Sequence, residues 1–250
     1  MKILAIDSSG MPATVAVLEN GLLTAEYTVH YQRTHSQTLL PMLEEVRTML
    51  ELDLSSVDAV AVAGGPGSFT GLRIGSATAK GIGLAIDRPL INVPTLEGMA
   101  YNFYGTDRIV CPMLDARRSQ VFAGIYGFHA QDPKDNPEGD PLEVLMDQTP
   151  LDVKQLCGQL DALAQKMGRR VLLMGDGAVV YRELIEENLH ADHMYAPAHL
   201  NGQKAGSVAQ RGMDLAVRCG KTESAAQHRP VYLRVSQAER VRAQKMQEEG

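Results

Sequence analysis

An α/β protein of two topologically equivalent lobes, each a mixed sheet flanked by helices with a cleft between them, is the fold this 250-residue sequence predicts. Three observations carry the expectation. The order strand–strand–strand–helix–strand–glycine turn–helix can be read once from Lys2 and again from Arg108, a repeat of topology with weak sequence identity. The first strand of each copy ends in an aspartate, Asp7 and Asp115, and the glycine turn Gly64–Gly67 is matched by Gly175–Ala178. The length allows a sizeable core, and 44% hydrophobic with 22% charged residues is ordinary globular composition.

Taken in order, Lys2–Asp7 reads as a buried strand, Ser8–Pro12 as a turn and Ala13–Leu18 as the returning strand. Asn20-Gly21 marks a hairpin, so Leu22–His30 is the third strand. A helix follows with apolar positions Leu39, Leu40, Leu43, Val46, Met49 and Leu50, and Pro41 is expected to kink it or mark its first turn. Val57–Ala63 is the central strand. Gly64-Gly65-Pro66-Gly67 forces a tight turn, and Ser68 or Thr70 caps a helix running to Ile86. Pro89–Val93 is a short strand, with a helix after Pro94-Thr95. In the second copy Ile109–Asp115 and Val121–Phe128 are strands around the turn Ala116–Gln120. A polar loop, Ala130–Pro141, precedes a strand at Leu142–Met146, a helix from Leu151 to Lys166 and a strand at Arg170–Met174. The second glycine turn then opens a helix to Asn188. Lys204–Cys219 returns to helix and Pro230–Arg234 is strand-like. The lobes are expected at 1–106, with part of 204–234 packing back on it, and at 107–203. Residues 235–250 form a charged tail expected to be flexible.

A formal charge of −6 argues against tight, unaided binding to nucleic acid or an anionic membrane. Cys111, Cys157 and Cys219 are odd in number and far apart, which fits a reducing cytosol and neither a disulfide scaffold nor a zinc site. Without an apolar signal core or an 18-residue apolar run, the chain is expected to be cytoplasmic. The helix after Ser68 is unusual. Gly71, Gly75, Ala79 and Gly83 fall every fourth residue, and Arg73, Ala77, Gly81 and Ala85 form the next column. Glycine inside a helix costs about 1 kcal/mol relative to alanine, so close approach of another backbone must recover it. Two readings stay open: tight packing on the helix's own sheet, and a seam with another chain. Both hold if the helix has two small faces. On the seam reading, Gly75→Leu is expected to abolish pairing while leaving the monomer folded.

Reactive constellations are scarce. The histidines are His30, His35, His129, His190, His193, His199 and His228, and no two lie four apart, so no helical metal pair exists. His190 and His193 read as a solvated loop, and His35 as a hydrogen-bonding or interface residue at a helix start. Gly220-Lys221-Thr222 has the tail of a phosphate loop but Leu215 where its first glycine belongs. Gly65, Gly67 and Gly71 lack the acidic partner of a dinucleotide site. Ser68 has no GxSxG elbow, and no nucleophile-plus-base spacing is found.

The paired hairpins with Asp at the strand end, each followed by a glycine turn, resemble the ASKHA (actin-like ATPase/RNase H-like) superfold. This implies a two-lobed duplication of mixed five-stranded sheets flanked by helices. Within it, ILAIDSS at Ile3–Ser9, THSQTLLP at Thr34–Pro41 and GGPGSFTGLRIG at Gly64–Gly75 resemble the bacterial TsaB (YeaZ-type) family. LDARRSQVF at Leu114–Phe122, GDGA at Gly175–Ala178 and PVYLR at Pro230–Arg234 complete a likeness that covers nearly the whole chain to Arg234. The resemblance implies a non-catalytic subunit for N6-threonylcarbamoyladenosine formation at tRNA position 37. It implies pairing with and activation of a TsaD-type catalytic paralogue, a TsaE-type ATPase as further partner, and a homodimer when alone. It implies tRNA contact only through the complex, and no membrane. The alternative is a nucleotide-dependent ASKHA enzyme, a small-molecule kinase or ATPase, acting on its own through Asp7. By the same resemblance the helices at Thr34–Glu51 and Thr70–Ile86 form the seam, through His35, Leu39, Leu43, Val46, Gly71, Leu72, Gly75, Ala79 and Gly83. Asp7, Ser8, Ser9, Asp115, Arg117, Gly175, Asp176 and Gly177 are candidates for a vestigial nucleotide or phosphate cleft. Arg117 and Arg118 stand where small residues would approach a phosphate, and Asp115 is expected to pair with one of them. No catalytic residue, metal or cofactor of its own is expected, with ATP or ADP admitted only at a partner interface.

Overall fold

The computed structural model describes residues 1–30, 34–129 and 139–234, so the charged tail at 235–250 and most of the polar loop at 130–141 lie outside the described residues. The first lobe holds β1 (Lys2–Asp7), β2 (Ala13–Glu19), β3 (Leu22–Val29), α1 (His35–Met49), β4 (Ala59–Ala63), α2 (Phe69–Ala85), β5 (Leu90–Val93) and α3 (Thr95–Ala100). The second holds β6 (Ile109–Asp115), β7 (Gln120–Phe128), β8 (Leu142–Asp152), α4 (Val153–Met167), β9 (Val171–Met174), α5 (Asp176–Val180), α6 (Arg182–Asn188) and β10 (His193–Tyr195), and α7 (Ala205–Val217) follows.

Each lobe has one five-stranded sheet, ordered β3-β2-β1-β4-β5 and β10-β9-β6-β7-β8. Read from opposite ends these are the same order, with an antiparallel pair from each hairpin and a parallel pair in each crossover. That is the ASKHA duplication. β1 and β4 are short apolar runs because both faces of their sheet are covered. Leu39, Met42 and Val46 of α1 and Ala79 of α2 pack one face, while Ala205, Val208 and Leu215 of α7 pack the other. α7 thus returns to the first lobe after the chain has built the second.

Several boundaries differ from those read in the sequence. α1 runs through Pro41, which is exposed within it. β8 extends to Asp152, because Pro150 lies on an edge strand and its missing N–H costs no ladder bond. α4 therefore starts at Val153, with the Asp152 carboxylate accepting from the Lys154 N–H at 2.8 Å. The helix after the second glycine turn is split at Tyr181 into α5 and α6. His193 belongs to β10, three residues long, whose short parallel pairing with β9 leaves little periodicity to read.

Two devices join the lobes. Arg211 of α7 is buried and pairs with Glu97 of α3 at 2.7 Å and with Asp140, ahead of β8, at 2.6 Å. After α7, a strap over residues 223–234 runs along α2. Glu223 bridges Leu90 of β5, the Val231 N–H donates to the Gly64 carbonyl at 2.7 Å, and Arg234 donates to the Ala116 carbonyl of the second lobe at 2.7 Å. Pro230–Arg234 is a strap rather than a strand. Among the described residues no helix is long and apolar enough to cross a membrane.

Candidate functional site

α2 begins where Ser68 accepts a hydrogen bond from the Gly71 N–H at 3.3 Å, and its small column decides how closely it approaches the sheet. Gly71, Gly75, Ala79 and Gly83 are all buried. A Cβ on Gly71 would collide with the Ser8 carbonyl, one on Gly75 would stand 2.5 Å from Ser8 Oγ, and one on Gly83 would strike Leu90. Ser8 Oγ donates to the Gly71 carbonyl at 2.9 Å. The column is therefore spent on the lobe's own β1–β2 turn and β5. Leu39, Val46 and Leu72 are likewise core, and Leu43 and His35 are half-buried. Of the two readings that spacing left open, this column takes packing on its own sheet, which corrects the seam drawn through it by resemblance: a run of small residues marks a close approach without saying on which side. It also overturns the expectation that Gly75→Leu spares the monomer.

The outward side of the two adjacent helices is a different set. The second column, Arg73, Ala77, Gly81 and Ala85, faces out, and a Cβ on Gly81 meets no atom within 4 Å. Beside it Leu84 is 63% exposed; on α1, Leu40 at 60% and Met49 at 74% are exposed on opposite flanks of the buried stripe, nine residues and half a turn apart. At the start of α2 the Arg73 guanidinium lies 4.0 Å from the centre of the Phe69 ring, which stacks at 4.5 Å on Tyr232 of the strap. Small, apolar, aromatic and arginine side chains along the exposed side of α2 are the composition of a pairing surface.

The candidate cleft residues divide into two groups. Asp7, Ser8 and Ser9 are buried, because the glycine turn closes over them: the Ser68 N–H donates to the Ser9 carbonyl at 2.6 Å, and Gly67 leaves no room for a Cβ there. Asp7 Oδ1 accepts from the Ser9 N–H at 2.8 Å, and burial pushes its carboxyl up to about 6. His35 Nε2 donates to the Gly10 carbonyl at 2.9 Å. In the second lobe Asp115, Arg117 and Asp176 do come together. Asp115 accepts from the Arg117 N–H at 2.7 Å and from the Tyr181 hydroxyl at 2.7 Å, and pairs with the Arg117 guanidinium at 3.2 Å. Asp176 accepts from the Asp115 N–H at 3.1 Å, while Gly175 and Gly177 sit against the Met113 carbonyl. Only Asp176 of these lines the interlobe cavity, about 540 Å³, with Met11, His30, Val179, His199 and Gln203 among its walls. Among the described residues no three His, Cys, Asp or Glu side chains are placed to hold a metal.

One constellation has no trace in the sequence spacing. His228 is 0% exposed, with Nε2 at 3.0 Å from Ser76 Oγ and Nδ1 at 2.7 Å from Glu223 Oε1. Serine, imidazole and carboxylate in line are the parts of a nucleophilic triad. Here they form a latch. Ser76 lies mid-helix and is 4% exposed, so a substrate has no path to it, and the N–H groups around it are spent within α2. Residues 152 positions apart are brought together by the strap, which is why spacing could not reveal them. His228→Ala is expected to cost roughly 2–4 kcal/mol, from the cavity and the stranded Ser76 and Glu223 groups, as a lower urea midpoint. An unchanged midpoint would mean the strap is held elsewhere.

A family model described as "TsaD: tRNA N6-adenosine threonylcarbamoyltransferase" matches residues 26–240. The chain is 30% identical to the tRNA threonylcarbamoyladenosine biosynthesis protein TsaB of Bacillus subtilis over 96% of both chains. It is 29% identical to the TsaB of Haemophilus influenzae over 94% of both. Among solved structures, YeaZ from Pseudomonas aeruginosa superposes with a TM-score of 0.74 at 26% identity, over 93% of this chain and 99% of that one.

Proposed function

The chain belongs to the TsaB (YeaZ-type) family, and on that premise we propose that it serves tRNA N6-threonylcarbamoyladenosine formation as a subunit contributing a docking face and no catalytic group. The matching family model carries the transferase's description, while the full-length relatives are TsaB proteins. This chain's own residues favour the second role. Its sequence has no pair of histidines four apart. Its first hairpin turn, where Asp7 would have to meet a nucleotide, is stoppered by Gly64–Ser68. That same closure speaks against the alternative of an independent kinase or ATPase working through Asp7.

The observation that carries the reading is the outward face of α2 beside α1, on which Gly81 is open and Leu84 exposed. It pairs with a TsaD-type transferase and holds the partner's cleft in its active geometry, with a TsaE-type ATPase as third member. Alone, the chain uses the same face to form a homodimer. Nucleotide is held by the partners or at their interface, tRNA is reached through the complex, and the assembly is cytoplasmic. Reconstitution tests this. Transferase and ATPase without this chain are expected to leave tRNA unmodified, and adding the chain to restore modification. ATP turnover by the isolated chain that is lost in Asp7→Ala would contradict it.

A further inference from the structure

In a chain of formal charge −6, α2 carries no acidic residue, and neither does the strap from 224 to 234 laid along it. Both carry cations. Lys80 Nζ donates to the Ala226 and His228 carbonyls of the strap at 3.4 and 3.3 Å, and Arg229 Nη1 donates to the same two carbonyls at 2.8 Å. Further along, Arg73 Nε donates to the Tyr232 hydroxyl at 3.3 Å, and Arg234 donates to the Ala116 carbonyl and the Gln120 side chain. Ala116 leads into the turn on which Arg118 is exposed, and Arg118 makes no hydrogen bond or ion pair among the described residues. These contacts string five cations in one line, from Lys80 and Arg229 through Arg73 to Arg234 and Arg118, and every acceptor they use is a neutral oxygen. The carboxylates flanking the line are engaged elsewhere, Glu223 by His228 at 2.7 Å and Asp115 by Arg117 at 3.2 Å. At its far end Arg117, Arg118 and Ser119 stand in succession at φ of +66°, +56° and +56°, backbone that L side chains rarely adopt. Glycine or asparagine would suit such a turn; arginines stand there instead, with the Arg117 side chain 87% exposed.

We propose that this basic stripe carries the sugar–phosphate backbone of the tRNA where it crosses from this chain to its partner. Cations in a line, without carboxylate partners, match phosphates that repeat along a strand, and each contact releases a counterion. Between Arg73 and Arg234 the stripe borders a hollow of about 130 Å³ whose walls include Phe69, Phe122 and Tyr232. Aromatic faces beside cations take the flat face of an unpaired base, which an acidic protein surface does not offer. The stripe also lies at the edge of the docking face: Lys80 precedes Gly81 on α2, and Arg73 stands two turns before it in the same outward column. A chain negative overall holds RNA weakly by itself, so the stripe acts once the transferase is seated beside it. The choice of RNA as occupant rests on the proposed role in tRNA modification; the line of uncompensated charge does not.

The triple variant Lys80→Gln, Arg118→Asn, Arg229→Gln removes three of the five charges. Its complex with a TsaD-type transferase is compared with the wild-type complex by fluorescence anisotropy of labelled, unmodified tRNA, from about 50 to about 200 mM salt. The variant complex is expected to keep its one-to-one mass, to bind tRNA about tenfold or more weakly at the low-salt end, and to show a log–log salt slope shallower by about 2. Unchanged affinity and slope overturn the proposal, and so does weaker binding at an unchanged slope. If RNA binding is untouched and capture of the TsaE-type ATPase falls instead, the stripe is a seat for an acidic protein and the proposal is overturned. Should the triple variant not fold, Arg118→Asn alone reads the same quantity, as a slope shallower by about 0.7–0.9. If the wild-type chain and the transferase form no complex, the docking-face reading fails, and the stripe is judged on the isolated chain at about 50 mM salt. Retention of tRNA there that the triple variant loses supports the stripe, and no retention by the wild type refutes it.

Discussion

Gly75→Leu is expected to collapse the first lobe rather than to disturb an interface. The position has no room for even a methyl group, since a Cβ would stand 2.5 Å from Ser8 Oγ, with Val62 of the central strand behind it at 3.8 Å. An isobutyl group there must push α2 off the β1–β2 turn and break the Ser8–Gly71 hydrogen bond. Overpacking of a close core costs typically about 1–3 kcal/mol, and the lost buried bond adds about 1 more. A total of roughly 2–4 kcal/mol is a large share of a domain's stability, and thermal melting should show it as a drop of several degrees or as failure to fold. A wild-type melting temperature would mean that the column does not face the sheet.

Gly81→Arg should do the reverse. Its Cβ direction is empty, and exchanging a helical glycine for arginine is worth up to about 1 kcal/mol in helix propensity, so the monomer is expected to melt at the same temperature or higher. On the proposed docking face, a long charged side chain in a close helix contact cannot be accommodated without moving the helices apart or burying the charge. Affinity for the TsaD-type partner is expected to fall about a hundredfold or more, about 3 kcal/mol, by titration calorimetry. The pair of substitutions separates two faces of one helix: the inner column answers in stability, the outer one in association.

Much of this architecture was legible in the sequence. The twice-repeated element order, the strand-end aspartates Asp7 and Asp115 and the two glycine turns gave both lobes, because β-branched runs and glycine clusters are local signals. The same locality explains what failed. Gly71, Gly75, Ala79 and Gly83 were correctly read as a line of close approach, yet the direction of that approach depends on where β1 and β5 lie. The adjacent column, Arg73, Ala77, Gly81 and Ala85, was equally visible, and only burial separates the two. Asp7, Ser8 and Ser9 read as candidates for a vestigial nucleotide or phosphate cleft because nothing in their spacing shows that Ser68 donates to Ser9. His228 and Ser76 could not be connected at all, since the strap that joins them crosses the whole lobe. β10 was missed because three residues are too few for a periodic signal.

The most direct measurement is the solution mass of the chain mixed with a TsaD-type transferase, taken by light scattering for the wild type and for Gly81→Arg. The account predicts a one-to-one complex for the wild type and two separate species for the variant, each still folded. A variant that travels with the transferase at the wild-type mass would show that the outward face of α1 and α2 is not where the two proteins meet.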